Sequence, residues 1–202
     1  MFFERPESPR ILENDYLDFF TRVHFASVPL LFVPITLFGL TYSVIGAGVS
    51  IPTTLGLFVI GWFAWSLSEY WLHRKLFHWQ PGGKWGEQLH FWLHGIHHRW
   101  PSDPYRLVMP PFVNLTILVL VATPVLWVAP KLGWGFLAGY TCGYMYYDLM
   151  HYYLHHHKPK LAYLKKLKAH HMNHHHNKTE QRFGVSFILW DRVFGTMQYS
   201  LQ

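Results

Sequence analysis

Residues 93–111 read LHGIHHRWPSDPYRLVMPP, and the first half of this stretch decides how the rest is read. His94, His97 and His98 stand at i, i+3 and i+4, positions that share one face of an α-helix, so three imidazoles can converge. The pattern returns as His171, His174 and His175. Each triplet follows two more histidines at the end of an apolar run: His73 and His78 before the first, His151 and His155 before the second. Ten of the 16 histidines therefore fall, in chain order, into two sets of five. Neutral imidazole is the commonest metal ligand and suits iron, copper, zinc and nickel. Two sets imply two metals.

His151 and His155 are one helical turn apart. His73 and His78, at i and i+5, lie about 140° apart on a straight helix, so the helix must loosen or end near His78; Trp79-Gln80-Pro81 offers an ending. His24 and His90 are read as ordinary packing or interfacial residues. His156, His157, His170 and His176 adjoin the sets, and His170, one turn before His174, could stand in for His171.

Half of the 202 residues are hydrophobic, 19% are aromatic and 14% are charged, which is poor in charge for a soluble domain. The length suits a single domain, 1–202. The net charge of +6 fits an anionic membrane surface, and long apolar runs favour a membrane over nucleic acid as partner. Cys142, the one cysteine, excludes a disulfide framework and a thiolate metal site; it reads as a small apolar helix residue. The N-terminus has no cleavable signal pattern.

The chain is expected to be an all-α integral membrane protein with four transmembrane helices and a cytosolic helical cap holding a polyhistidine dimetal site. The spans fall at about 23–45, kinked by Pro29 and Pro34, then 51–72, 112–128 and 132–149. The cap comprises 73–111 and 150–202. Residues 1–22 form an N-terminal interfacial segment, an amphipathic helix starting at Ser8-Pro9. Trp79 to Gly86 reads as a loop, 98–111 as irregular, and 160–168 as a basic amphipathic helix; 183–195 carries no clear assignment. Four crossings put 16 of the 17 Lys and Arg residues on the histidine side, which makes that side cytosolic.

Ligand histidines usually have their second nitrogen held by a carboxylate or carbonyl. Glu69, one turn before His73, and Asp148, three residues before His151, are the candidates for that role, with Asp103 a third that could equally cap its own turn. Carboxylates are nearly absent from the clusters themselves. The metals are accordingly expected farther apart than the roughly 3.5–4 Å of bridged pairs.

Four segments go further than spacing: SEYWLHRKLFH at 68–78, the 93–111 run, GYMYYDLMHYYLHH at 143–156, and LKAHHMNHHH with FGVSFILWDRVFGT at 167–176 and 183–196. Together they resemble the fatty acid hydroxylase / sterol desaturase superfamily of membrane di-iron enzymes, and within it the fatty acid 2-hydroxylases, in a form lacking the cytochrome b5 domain. The resemblance implies ten ligands: His73, His78, His94, His97, His98, His151, His155, His171, His174 and His175. It implies two iron ions, which zinc can replace in purified protein, and O2 as co-substrate. The reaction implied is hydroxylation at carbon 2 of a long-chain fatty acid or of the N-acyl chain of a sphingolipid. Electrons would come from a separate donor, a cytochrome b5-type protein, a ferredoxin or a reductase, because the chain carries no dinucleotide fingerprint and no cysteine cluster. Arg106 would brace the structure or touch the lipid head. The YSLQ end has no dilysine signal, which favours a bacterial inner membrane, or the endoplasmic reticulum if the protein is eukaryotic. Rival substrates are a sphingoid base, a sterol or a carotenoid. A zinc or nickel transporter or buffer is the reading from a different class, but a transporter places ligands mid-span. A bis-histidine haem protein needs far fewer.

Overall fold

A computed structural model describes residues 8–177 and 181–197; Glu4, Arg5, Glu7 and the YSLQ end lie outside the described residues. The architecture is helical, and the chain divides into two compact units, 24–66 with 108–149 and the remainder.

The first of these units holds the apolar helices. α2 (Ser27–Thr41) continues as a wide π turn through Gly46, and α3 spans Ile51–Trp71. α6 covers Pro111–Val128 and α7 Gly133–His156. Three stretches are long and apolar enough to cross a membrane: Ser27–Gly46, Ile51–Phe77 and Pro111–Val128. Helix α7, at 24 residues, is about 36 Å long, but its tyrosines and histidines dilute its hydropathy. Leu30, Leu120 and Val128 point outward, as lipid-facing side chains do. The first span starts at Ser27 rather than Val23. Pro29 falls in the first turn, where a missing N–H costs nothing, so Pro34 is the interior proline. The turn between α2 and α3 reverses at Gly48, whose φ of 69° suits glycine.

Helices α3 and α7 meet backbone to backbone. A Cβ on Gly61 would lie 1.9 Å from the Phe136 carbonyl oxygen, and one on Gly139 would lie 1.9 Å from that of Phe58. Small residues at such a seam are what close membrane-helix packing requires. Beside it Trp65 meets Tyr140 and Tyr144 edge-on, with ring centroids 5.2 Å apart in each case. Buried Asp148 accepts from the Tyr144 hydroxyl at 2.7 Å and the Met109 N–H at 3.3 Å. Asn114 donates to the Tyr144 oxygen and to the Met109 carbonyl.

The second unit contains α1 (Asp15–Phe20), α4 (Gly83–His90), α5 (Ile96–Arg99), α8 (Ala162–Asn177) and α9 (Leu189–Val193), with the ends of α3 and α7. The N-terminal helix is shorter than its sequence suggests. Asn14, not Ser8, caps it, its Oδ1 accepting from the N–H groups of Tyr16 (3.0 Å) and Leu17 (3.2 Å). Tyr16, Phe19 and Phe20 remain exposed, an apolar face of the interfacial kind. Ser8 is buried in a polar cluster instead, donating to Asp103 Oδ2 at 2.8 Å. The centre of that cluster is Arg106. Its guanidinium pairs with Asp18 (3.1 Å) and Asp103 (3.2 Å) and donates to the Pro9 carbonyl (2.6 Å) and Thr21 (3.1 Å). Together these contacts brace the N-terminal segment against the 98–111 loop.

Other boundaries shift as well. Helix α4 begins at Gly83, inside the expected loop. The basic 160–168 segment is the first half of α8, which runs on to carry the second triplet. Lys165 and Lys166 face out while Leu167 is fully buried. The aromatic tail forms α9 and a buried loop of Phe183, Gly184, Val185 and Ser186.

Candidate metal centre

The awkward spacing of His73 and His78 is resolved by the backbone. Residues Leu72–Phe77 form a π turn, and the His78 N–H reaches the His73 carbonyl at 3.3 Å. Bonding from i to i+5 widens the turn and returns residue 78 to the face of residue 73. Their Nε2 atoms lie 3.3 Å apart. Another π turn, Phe91–Gly95, carries His94 and leads into α5.

All ten histidines gather, but not in the sets that chain order suggests. One group is His73, His78, His94, His98 and His174; the other is His97, His151, His155, His171 and His175. In each group the ligand atoms lie within 4.8 Å of one another. The reason is helical geometry. Neighbouring residues point about 100° apart, so His97 and His98 cannot face one point, whereas residues at i and i+4 can. His94 and His98 thus serve one group and His171 and His175 the other, while His97 and His174 each cross over.

In the first group Nε2 of His73 is 3.0 Å from that of His94, and His78 is 3.0 Å from His174. In the second, His97 is 3.0 Å from both His151 and His175, and His155 is 2.8 Å from His171. Metal–nitrogen bonds of about 2.0–2.1 Å place ligands at right angles about 3 Å apart, so these separations suit a common cation. Hydrogen bonds among the rings do not account for them all: the buried Nε2 of His98 has no hydrogen-bond partner. Burial, reinforced by neighbouring imidazoles, pushes His94, His97 and His171 well below the usual histidine range and brings His78, His98 and His155 down to about 3. The rings are neutral at pH 7, the form that binds metal.

Residues 58–196 match the family model described as fatty acid hydroxylase, and all ten histidines lie within that segment. The chain belongs to the fatty acid hydroxylase family. It is 40% identical over 199 residues to a dihydroceramide fatty acyl 2-hydroxylase of Arabidopsis thaliana, covering 95% of this chain and 81% of that one. It is 37% identical to the fatty acid 2-hydroxylase of Homo sapiens, covering 93% of this chain and 56% of that one. Among solved structures it is similar to full-length scs7p, in which only the hydroxylase domain is visible, with a TM-score of 0.88 and 34% identity over 95% of this chain and 73% of that one.

In this family member the hydrogen bonds found for the acids singled out from sequence, among the described residues, go to other partners than the histidine groups. Glu69 accepts from the N–H groups of Val185 and Ser186, each at 2.8 Å, and from the Ser186 hydroxyl. Asp148 is bound to Tyr144 and Met109, and Asp103 to Ser8, Arg106 and its own turn at Tyr105. Backbone carbonyls do the holding. His73 Nδ1 donates to Phe183 O at 2.6 Å and His174 Nδ1 to Gln181 O at 2.7 Å. The Pro101 carbonyl hydrogen-bonds His155. A carbonyl belongs to every residue, so no side-chain pattern announces it. His170 turns away to Asp191 at 3.0 Å, which leaves His171 in the cluster. His90 lies beside Gln80, and His24 accepts from the Ala26 N–H. Among the described residues neither group includes a carboxylate.

Proposed function

We propose that this chain is a membrane di-iron oxygenase that adds a hydroxyl at carbon 2 of a long fatty acyl chain, as the free acid or as the N-acyl chain of a sphingolipid. The observation that carries this is the pair of five-histidine groups in a chain 40% identical to a dihydroceramide fatty acyl 2-hydroxylase. Bound iron, reduced by a separate donor protein, supplies O2 activation strong enough to break a C–H bond that no side-chain base could deprotonate. The ligands proposed are the ten histidines, with His73, His78, His94, His98 and His174 at one ion and His97, His151, His155, His171 and His175 at the other. All-nitrogen donor sets without a bridging carboxylate fit two ions held apart rather than clamped together.

The chain's own part is positional. Burial keeps the rings neutral and their lone pairs aimed inward, and carbonyls on the 181–183 and 101 loops fix individual tautomers. Four crossings, with α7 as the fourth, would place both ends and the histidine-bearing segments on the cytosolic side, where sixteen of the 17 Lys and Arg residues then lie. That face would meet the electron donor, a cytochrome b5-type protein, a ferredoxin or a reductase. A bacterial inner membrane suits this topology, as the endoplasmic reticulum would in a eukaryote.

The test is expression in a host lacking 2-hydroxy lipids, followed by lipid mass spectrometry. Wild-type chain should yield 2-hydroxyacyl products and His97→Ala none. Oxygen placed at another carbon, or on a sterol, would refute the position; full turnover by protein holding zinc alone would refute iron.

A further inference from the structure

Helix α9 contains a carboxylate that the proposed chemistry leaves unassigned. Asp191 is fully buried at the start of α9. Its Oδ1 accepts from the Phe183 N–H (2.8 Å) and the Thr196 hydroxyl (2.7 Å); its Oδ2 accepts from the Gly184 N–H (2.8 Å) and His170 Nε2 (3.0 Å). The Gly184 N–H and the Phe183 C=O are opposite edges of one planar peptide unit. Asp191 grips one edge, and on the other the Phe183 oxygen accepts from His73 Nδ1 at 2.6 Å. The series therefore runs carboxylate, peptide, imidazole. It is a carboxylate–histidine–metal arrangement with a peptide group inserted.

We propose that Asp191 is a positioning residue for the first histidine group, holding His73 in the Nδ1–H tautomer through the Phe183–Gly184 peptide. Charge on the N–H edge polarises the peptide and makes its carbonyl a better acceptor, which raises the donor strength of His73 Nε2. Two further observations fit this role. A Cβ at Gly184 would come 2.1 Å from the Phe187 carbonyl oxygen and 2.8 Å from Asp191 Oδ2, so glycine is what lets the carboxylate close on the backbone. Glu69 pins the next two N–H groups of the same loop, so the peptide is fixed from both sides. Among the described residues Asp191 makes no hydrogen bond to the second group itself, only to His170 beside His171.

The inference rests on the two-metal reading, and the test separates them. Full-length protein in detergent, stripped of metal, is titrated with cobalt(II) and followed by its visible absorption. His97→Ala disables the second site and leaves the first to be read; His174→Ala does the reverse. Asp191→Asn added to His97→Ala should weaken cobalt binding by about 10–100-fold and shift the visible band. Added to His174→Ala, it should change neither. Thr196→Ala, which removes one of the four hydrogen bonds to the carboxylate, should give a smaller change of the same kind and serves if Asp191→Asn does not fold. Equal weakening at both sites, or an unaltered first site, overturns the assignment of Asp191. A wild-type chain that binds no cobalt overturns the two-metal reading and this inference with it.

Discussion

The two histidine groups are built from the same parts and braced differently. In the first, His73 and His174 give their Nδ1 protons to the carbonyls of Phe183 and Gln181, and the loop bearing those carbonyls is pinned by Glu69 and Asp191. In the second, Pro101 steadies His155, but the buried Nδ1 atoms of His97, His171 and His175 have no hydrogen-bond partner. An imidazole that coordinates through Nε2 carries its proton on Nδ1, and leaving such a buried donor unpaired costs about 1–3 kcal/mol. Like ligands do not make like sites: what lies behind the ring separates them. The first group is held by its surroundings. The second would depend more on the ion proposed for it.

The largest effect should come from the cluster that pins the loop behind the second group. Arg106→Ala leaves buried Asp103 without its cation and Asp18 with Arg22 alone, and breaking such a buried pair costs about 3–5 kcal/mol. Thermal unfolding should fall accordingly, and the second site should lose its metal before the first; loss from the first site alone would break the comparison. Tyr144→Phe tests whether the contrast is local. It deprives Asp148 and Asn114 of their shared hydroxyl, at a cost of about 1–3 kcal/mol, so stability should drop while metal content per folded chain stays unchanged.

A chelator should sharpen the contrast without any substitution. Metal should leave the wild-type chain in two phases about tenfold or more apart, and His97→Ala should abolish the fast one. A single phase would show the bracing to be irrelevant. Acid gives the smallest effect. Burial pushes the Asp18 carboxyl up, but the N–H groups of Ile11 and Leu12, with Arg106 and Arg22, outweigh it and hold the group below its ordinary range. Its contribution is present above the unfolded-chain value and is lost as pH falls through the lower folded one. Hydrogen exchange over residues 8–22 should therefore accelerate below about pH 4, and Asp18→Asn should remove that step.

Much of this was legible in the sequence because helices translate spacing into direction. The i, i+4 pairs announced shared faces, and three of the four apolar runs read as spans are helices of membrane length and hydropathy. The i, i+5 spacing of His73 and His78 announced that the helix must loosen, and the π turn at Leu72–Phe77 is how it does so. The exchange of His97 and His174 between groups was hidden by treating HxxHH as one unit. Adjacent residues on a helix diverge, so each triplet had to split. The carbonyl braces were illegible because backbone atoms have no letter in a sequence, and proximity in chain order did not foretell that Glu69 binds the Val185 and Ser186 N–H groups and Asp148 the Tyr144 hydroxyl. Asp191 lay in plain view within FGVSFILWDRVFGT, but nothing local linked it to residue 73, 118 positions earlier.

The interleaving of the two groups is what metal content should decide. Elemental analysis of purified double variants separates the arrangements, because His97 and His175 share a site here whereas His97 and His98 do not. His97→Ala with His175→Ala should retain one metal per chain, and His97→Ala with His98→Ala should retain none. The reverse result, one metal kept without His97 and His98 and none without His97 and His175, would mean that the sets follow chain order after all.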